Sequence, residues 1–140
     1  LETHGLATTA LERVIDAIDV VSMDWKLASE VERADHPRGA AREEFHAEHP
    51  AFLRIALRAG ETYVKVVVTP ATRDEELDAV ARHLAAEDPA VPLVIQPVTP
   101  RGPVKESPPA AQLLAWQARL ERQLRDVRVI AQTHPGLGVR

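Results

Sequence analysis

The run Tyr63-Val64-Lys65-Val66-Val67-Val68-Thr69 limits what this chain can become more than any other stretch. It is β-branched and nearly continuous, which suits a strand covered on both faces. Such strands belong to parallel sheets, whose crossovers need helices. Helical and strand patterns do alternate around it. Leu11, Val14, Ile15 and Ile18 share one helical face, with Thr8 or Thr9 as the N-cap. From Val20 to Leu27 the pattern alternates, with Val21, Met23, Trp25 and Leu27 on one side and Ser22, Asp24 and Lys26 on the other. A charged helix from about Ala40 breaks at Pro50, resumes through Phe52, Leu53, Ala56 and Leu57, and closes at Gly60 as a C-cap. Thr72-Arg73-Asp74-Glu75 reads as a capping box for a helix carrying Leu77, Val80, Ala81 and Leu84. Leu93-Val94-Ile95-Gln96 is the next strand, Ser107-Pro108 starts a helix with Leu113, Gln117, Leu120 and Leu124, and Val127 to Ile130 is the last strand. The expected fold is α/β, with parallel strands alternating with helices through right-handed crossovers.

Composition narrows the function. A chain of 140 residues suits one domain. A net charge of −4 without a basic block argues against a phosphate-backbone binder, so no direct nucleic-acid contact is expected. No apolar run is long enough for a membrane span and no stretch reads as a signal peptide, so a cytoplasmic protein with no membrane partner is expected. Cysteine is absent, which excludes disulfides, thiolate metal sites and cysteine nucleophiles within this chain. The sequence opens on Leu1, and Leu1-Glu2-Thr3-His4-Gly5 reads like a strand end running into a turn. It is therefore expected to begin inside a longer protein.

Chemistry-bearing residues collect at strand ends. Gln96 sits between apolar neighbours, and Pro97 and Pro100 take the chain out of the sheet. In parallel sheets ligands lie beyond the carboxyl ends of the strands. The competing reading is a plain strand exit whose glutamine caps backbone groups. The Ser22, Asp24 and Lys26 face is either the solvent side of an edge strand or the lining of a cleft, and the pattern alone does not decide. Thr3 and Gly5, then Ser22, Asp24 and Lys26, then Gln96 and Thr99, then Gln132 and His134 fall on four strands whose carboxyl ends share one edge. That inventory suits a zwitterionic or purine-like ligand and lacks an obvious nucleophile–base pair, so it does not favour a stand-alone hydrolase. His46 and His49 stand three apart on an expected helix, but the charged surroundings and Pro50 favour a solvated surface over a metal pair. His83 reads as a boundary residue on an amphipathic helix.

Four segments carry a resemblance: Val21-Ser22-Met23-Asp24-Trp25-Lys26-Leu27, Tyr63-Val64-Lys65-Val66-Val67-Val68-Thr69, Gln96-Pro97-Val98-Thr99-Pro100, and Asp126-Val127-Arg128-Val129-Ile130 with Gln132-Thr133-His134. In this order they resemble the 7-carboxy-7-deazaguanine synthases, radical S-adenosylmethionine enzymes of queuosine and 7-deazapurine biosynthesis. The resemblance implies that residues 1–140 are the C-terminal portion of a single domain, part of a partial (β/α) barrel. It implies S-adenosylmethionine contacts from Gly5, Ser22, Asp24, Lys26, Gln96, Pro97, Val98 and Thr99. It puts Thr3, His134 and the Arg140 carboxylate on the substrate side and assigns no catalytic residue.

In that family the cofactor, held at a [4Fe-4S] cluster, yields a 5′-deoxyadenosyl radical. The radical abstracts hydrogen from 6-carboxy-5,6,7,8-tetrahydropterin, which contracts to the deazapurine with loss of ammonia, assisted by Mg2+. The cluster cysteines and the magnesium ligand belong upstream in the family, so this chain alone is not expected to turn over. A pterin substrate, an electron donor and a homodimeric partner are the implied associations. The chain departs from the family pattern at His4, where asparagine is usual, and at Ala131 and Pro135, where proline and lysine are. Two other readings stay open. Another radical S-adenosylmethionine enzyme, such as a glycyl-radical activating enzyme, would keep the Ser22–Lys26 strand and would not be expected to keep the Gln96 and His134 ends. A non-catalytic binding or assembly module would lack the cluster half. An upstream truncation is also expected to bare a long edge of the Ser22–Leu27 strand.

Overall fold

Five parallel strands follow one another across one sheet in chain order, β1-β2-β3-β4-β5. The structure, a computed structural model, describes residues 1–29, 45–101 and 104–132. In sequence the elements are β1 (Glu2–Thr3), α1 (Thr8–Glu12) with a 3₁₀ turn at Ile15–Ala17, β2 (Val20–Trp25), α2 (Phe45–Ala56), β3 (Glu61–Val68), α3 (Asp74–Glu87), β4 (Leu93–Pro97), α4 (Ala110–Leu120) and β5 (Val127–Val129). The α/β alternation read from the sequence is borne out, and the all-parallel sheet is consistent with a partial barrel.

The core lies between the helices and one face of the sheet. Val21, Met23, Trp25, Val64, Val66, Val68, Leu93 and Ile95 are buried there with Phe52, Leu53, Leu77, Val80, Leu84, Leu113 and Leu120. Each of Val64, Val66 and Val68 is fully buried, and each contributes about 2 kcal/mol before ordering entropy is subtracted. Strand β3 is not covered on both faces as expected. Tyr63, Lys65 and Val67 point away from the helices and are only half-buried.

Several end signals resolve differently from the sequence reading. The Thr72 hydroxyl accepts the Thr69 N–H at 2.9 Å, closing the turn after β3. Arg73 is the N-cap of α3 and no side chain caps that end, so the capping box does not form. Asp74, Glu75 and Glu76 fill the first turn instead and complement the helix dipole. Helix α4 begins after Pro109, not at Pro108. The second proline disfavours helical backbone at the first, which delays the start. Ala7, without a capping side chain, precedes α1, so neither Thr8 nor Thr9 is the N-cap.

Pro50 lies inside one continuous helix, α2. Gly60 is no left-handed C-cap, since Gly5 alone has positive φ among the described glycines. A Cβ at Gly60 would lie 3.2 Å from the Asp19 carbonyl oxygen, which also accepts the Glu61 N–H. Glycine therefore provides room for that carbonyl. The bare β2 edge is likewise corrected in part, because β1 pairs with it, Glu2 beside Ser22 and Thr3 beside Met23.

Candidate functional site

Strand alternation sends every second side chain to the helix-free face. Register then sets their neighbours: Ser22 beside Tyr63, Asp24 beside Lys65, Lys65 beside Val94, Val94 beside Arg128, and Val67 beside Gln96. A cavity of about 610 Å³ runs over this face, from Val20, Glu61 and Pro92 at the amino ends of the strands to Gln96 and Ile130 at the carboxyl ends. Ser22, Tyr63 and Lys65 line its middle. Strand β2 lies between β1 and β3 and is no edge strand, and of Ser22, Asp24 and Lys26 it is Ser22 that lines this cavity.

The face carries a row of alternating charge. Lys65 Nζ contacts the Glu2 carboxylate and sits 3.1 Å from Asp24 Oδ1, while Lys26 Nζ donates to Asp24 Oδ2 at 3.0 Å. The Lys65 side chain is only 12% exposed. Burial pushes the Asp24 carboxyl up, but Lys26 and Lys65 outweigh it and hold the group below the ordinary aspartate range. Burial likewise pulls the Lys65 ammonium down, and Glu2 and Asp24 reverse this, leaving it above the ordinary lysine value. Both groups are thus held charged. The Asp24 Oδ1–Lys65 contact is an ion pair without a well-aligned hydrogen bond, and the buried Ser22 hydroxyl has no partner among the described residues. The row is electrically balanced, and of its members Glu2 and Lys65 line the cavity.

At the carboxyl edge a second group forms around His49. Its Nδ1 lies 2.9 Å from the Gly5 carbonyl and its Nε2 accepts the Lys26 backbone N–H at 3.1 Å. His49 is fully buried, and its ring lies 4.9 Å from that of Trp25. The expectation of a solvated His49 is therefore corrected. Its spacing to Phe52, Leu53 and Ala56 puts it on the buried stripe of α2, a signal its charged sequence neighbours mask. His83 also stacks with Trp25, the ring centroids 5.7 Å apart.

The remaining expected residues fall into place unevenly. Thr3 ends β1, and its hydroxyl accepts the Gly5 N–H at 3.3 Å. Gln96 lines the cavity, while Pro97 takes the helix-side parity of β4. Val98 extends the pairing through its N–H to the Val68 carbonyl. The Thr99 hydroxyl donates to Gln132 at 2.9 Å, joining the chain beyond β4 to that beyond β5. His134 and Arg140 lie outside the described residues. Glu2, Lys65 and His49 were not among the expected site residues. Lys65 was detectable as the lone charge in a valine strand, but its pairing with Asp24 depends on register.

Comparison with known proteins adds the identity of similar chains. Over 138 residues the chain is 32% identical to the 7-carboxy-7-deazaguanine synthase of Geobacter sulfurreducens, covering 99% of this chain and 51% of that protein. It is 30% identical over 151 residues to the 7-carboxy-7-deazaguanine synthase of Methanothermobacter thermautotrophicus, covering 100% of this chain and 59% of that protein. No family profile and no solved structure matches the chain. The chain spans about half the length of the curated relatives it matches. The resemblance carried by the four segments is thereby borne out: along its whole length, this chain is similar to part of a 7-carboxy-7-deazaguanine synthase.

Proposed function

We propose that this chain is the C-terminal portion of a 7-carboxy-7-deazaguanine synthase and that its open sheet face takes part in binding S-adenosylmethionine. The whole enzyme would convert 6-carboxy-5,6,7,8-tetrahydropterin to 7-carboxy-7-deazaguanine with loss of ammonia, a carbon–nitrogen lyase reaction of queuosine and 7-deazapurine biosynthesis. The observation that carries this reading is similarity over the full chain to two synthases of that name.

The open face supplies a chemical fit. A nucleoside ribose offers hydroxyls that can donate to Asp24 and accept from Ser22, whose own hydroxyl is buried and unpartnered among the described residues. When bound at a reduced cluster, S-adenosylmethionine supplies the radical chemistry. The chain's own contribution is orientation. Lys26 and Lys65 keep Asp24 ionised, Gln96 offers a carboxamide at the end of β4, and Thr3 with His134 and Arg140 serves the substrate side.

This chain has no cysteine, and among the described residues no three His, Asp or Glu side chains converge. The chain therefore offers no thiolate for the cluster, and its described residues do not make up a Mg2+ site, so both groups would be held by the rest of the whole enzyme. The chain alone is then inactive, and an electron donor, a homodimeric partner and a cytoplasmic setting belong to the whole enzyme. Among the described residues no helix is long and apolar enough to cross a membrane.

Titration of the chain with S-adenosyl-L-homocysteine, followed through the backbone amides of Ser22, Asp24 and Gln96, tests the site. Saturable shifts that disappear in Ser22→Val and Asp24→Asn support it. No binding, or binding indifferent to both substitutions, sinks it. Binding of 7-carboxy-7-deazaguanine by the whole enzyme separates this reading from a glycyl-radical activating enzyme.

A further inference from the structure

The backbone pairing of β1 with β2 ends at Thr3 and Met23. Beyond that rung the Gly5 carbonyl and the Lys26 N–H have left the ladder, and buried backbone groups need other partners. One side chain serves both. From α2, the His49 ring stands 2.9 Å from the Gly5 oxygen and 3.1 Å from the Lys26 nitrogen. Since Nε2 accepts the Lys26 N–H and Nδ1 faces a carbonyl, which can only accept, the ring carries its proton on Nδ1.

Three details show that this contact is built. The ring is fully buried on the stripe shared with Phe52, Leu53 and Ala56, where packing alone would be met by an aliphatic side chain. Trp25 flanks it at 4.9 Å, with the ring planes inclined at 41°. Gly5 has φ +67°, and a Cβ there would lie 3.0 Å from Nδ1, so the glycine is what lets its carbonyl and the imidazole meet.

From this we infer that His49 is a positioning residue, coupling the Gly5 turn to the Lys26 segment so that two backbone segments assigned to the proposed S-adenosylmethionine site are set by one ring. The inference rests on that proposed site and adds to it a residue that lies in the core and lines no part of the cavity. Moving the ring would move both backbone segments together, one from each strand. His49 touches no reacting atom; it acts through Gly5 and Lys26.

The test uses the full 140-residue chain titrated with S-adenosyl-L-homocysteine. His49→Gln keeps an acceptor near the Nε2 position, His49→Asn keeps a donor near the Nδ1 position, and His49→Phe keeps a ring with neither. Among variants shown to be folded by circular dichroism, the glutamine and asparagine chains should bind about tenfold more weakly and the phenylalanine chain about a hundredfold, each lost bond counting once. Partial recovery by Gln and Asn relative to Phe is the signature that a space-filling role does not produce. Wild-type affinity in the folded variants overturns the role of His49 and leaves the proposed site standing. Absence of binding by the wild-type chain overturns the site itself, and the inference with it.

Should the variants not fold, the wild-type chain decides. On adding S-adenosyl-L-homocysteine the ring nitrogen resonances of His49 should shift together with the Gly5 and Lys26 amides. Stationary His49 resonances beside moving Gly5 and Lys26 amides overturn the inference.

Discussion

Lys65 Nζ on β3 stands 3.1 Å from Oδ1 of Asp24, its register partner on β2, and the same ammonium contacts Glu2 at the start of β1. Three neighbouring strands are thus tied on the open face by one cation. Lys65→Met leaves Asp24 with Lys26 alone and lets its carboxyl rise toward the ordinary range. The expected loss is about 1–2 kcal/mol. That is less than for a fully buried pair, because a quarter of the Asp24 side chain remains in solvent. Urea unfolding at neutral pH measures it, and an unchanged midpoint would show that solvent replaces the pair without loss.

Gly5→Ala meets two obstacles. The φ of +67° disfavours any residue with a Cβ, and the new methyl would stand 2.7 Å from the Met23 methyl and 3.0 Å from His49 Nδ1. Met23 can bend aside at its flexible end, whereas the imidazole is bonded at both nitrogens. A destabilisation of about 2 kcal/mol or more is expected, read as a lowered thermal midpoint. Gly60→Ala, where no left-handed backbone is required, should cost less.

Glu76, buried at the start of α3, accepts the Ser29 N–H at 2.9 Å and the Ser29 hydroxyl at 2.5 Å. Burial pushes its carboxyl up, but Arg73 and Ser29 outweigh that and leave it below the ordinary glutamate value. A depressed folded-state pKa contributes stability that is present above the unfolded value, about 4.3, and lost as pH falls through the folded one. Glu76→Gln removes this contribution. The stability gap between wild type and variant should be constant above about pH 6 and shrink on acidification below about pH 4. A gap that widens in acid would contradict the assignment.

Phe52 is fully buried on the stripe of α2 that also carries His49. Phe52→Ala should destabilise the chain by about 3–5 kcal/mol through lost burial and the cavity left behind. Denaturant titration reads this directly.

Anaerobic treatment of the chain with iron and sulfide should leave it colourless, since no thiolate is present to bind a cluster. A stable cluster chromophore on the isolated chain would sink the claim that its cluster ligands lie elsewhere.

The order of elements was legible because it rests on apolar spacing. Val21, Met23 and Trp25 at period two, and Leu77, Val80, Ala81 and Leu84 at helical spacing, are all buried as their patterns imply. Helix starts were less legible, since Thr72 and Ser107 have the right chemistry but the turns around them decide its use. Thr72 is bonded back to Thr69, and the second of two prolines displaces the start of α4 past Ser107. The meeting of Thr99 with Gln132 followed from parallel topology, which brings successive strand ends to one edge. Pairings that depend on register or on a helix crossing the sheet did not follow. Asp24 with Lys65 and His49 with Gly5 join residues that no local pattern links.

The identity of spatial and chain order in the sheet also bears on how the protein assembles. Every strand finds its partner in the next strand along the chain, so each pairing closes one strand–helix–strand loop and none waits for a distant segment. Loop-closure entropy grows slowly with length, and contacts between successive units are favoured over remote ones. The sheet can therefore grow by adding one unit at a time to an existing edge. Such growth is tolerant of interruption, because the units already docked keep their neighbours whatever follows.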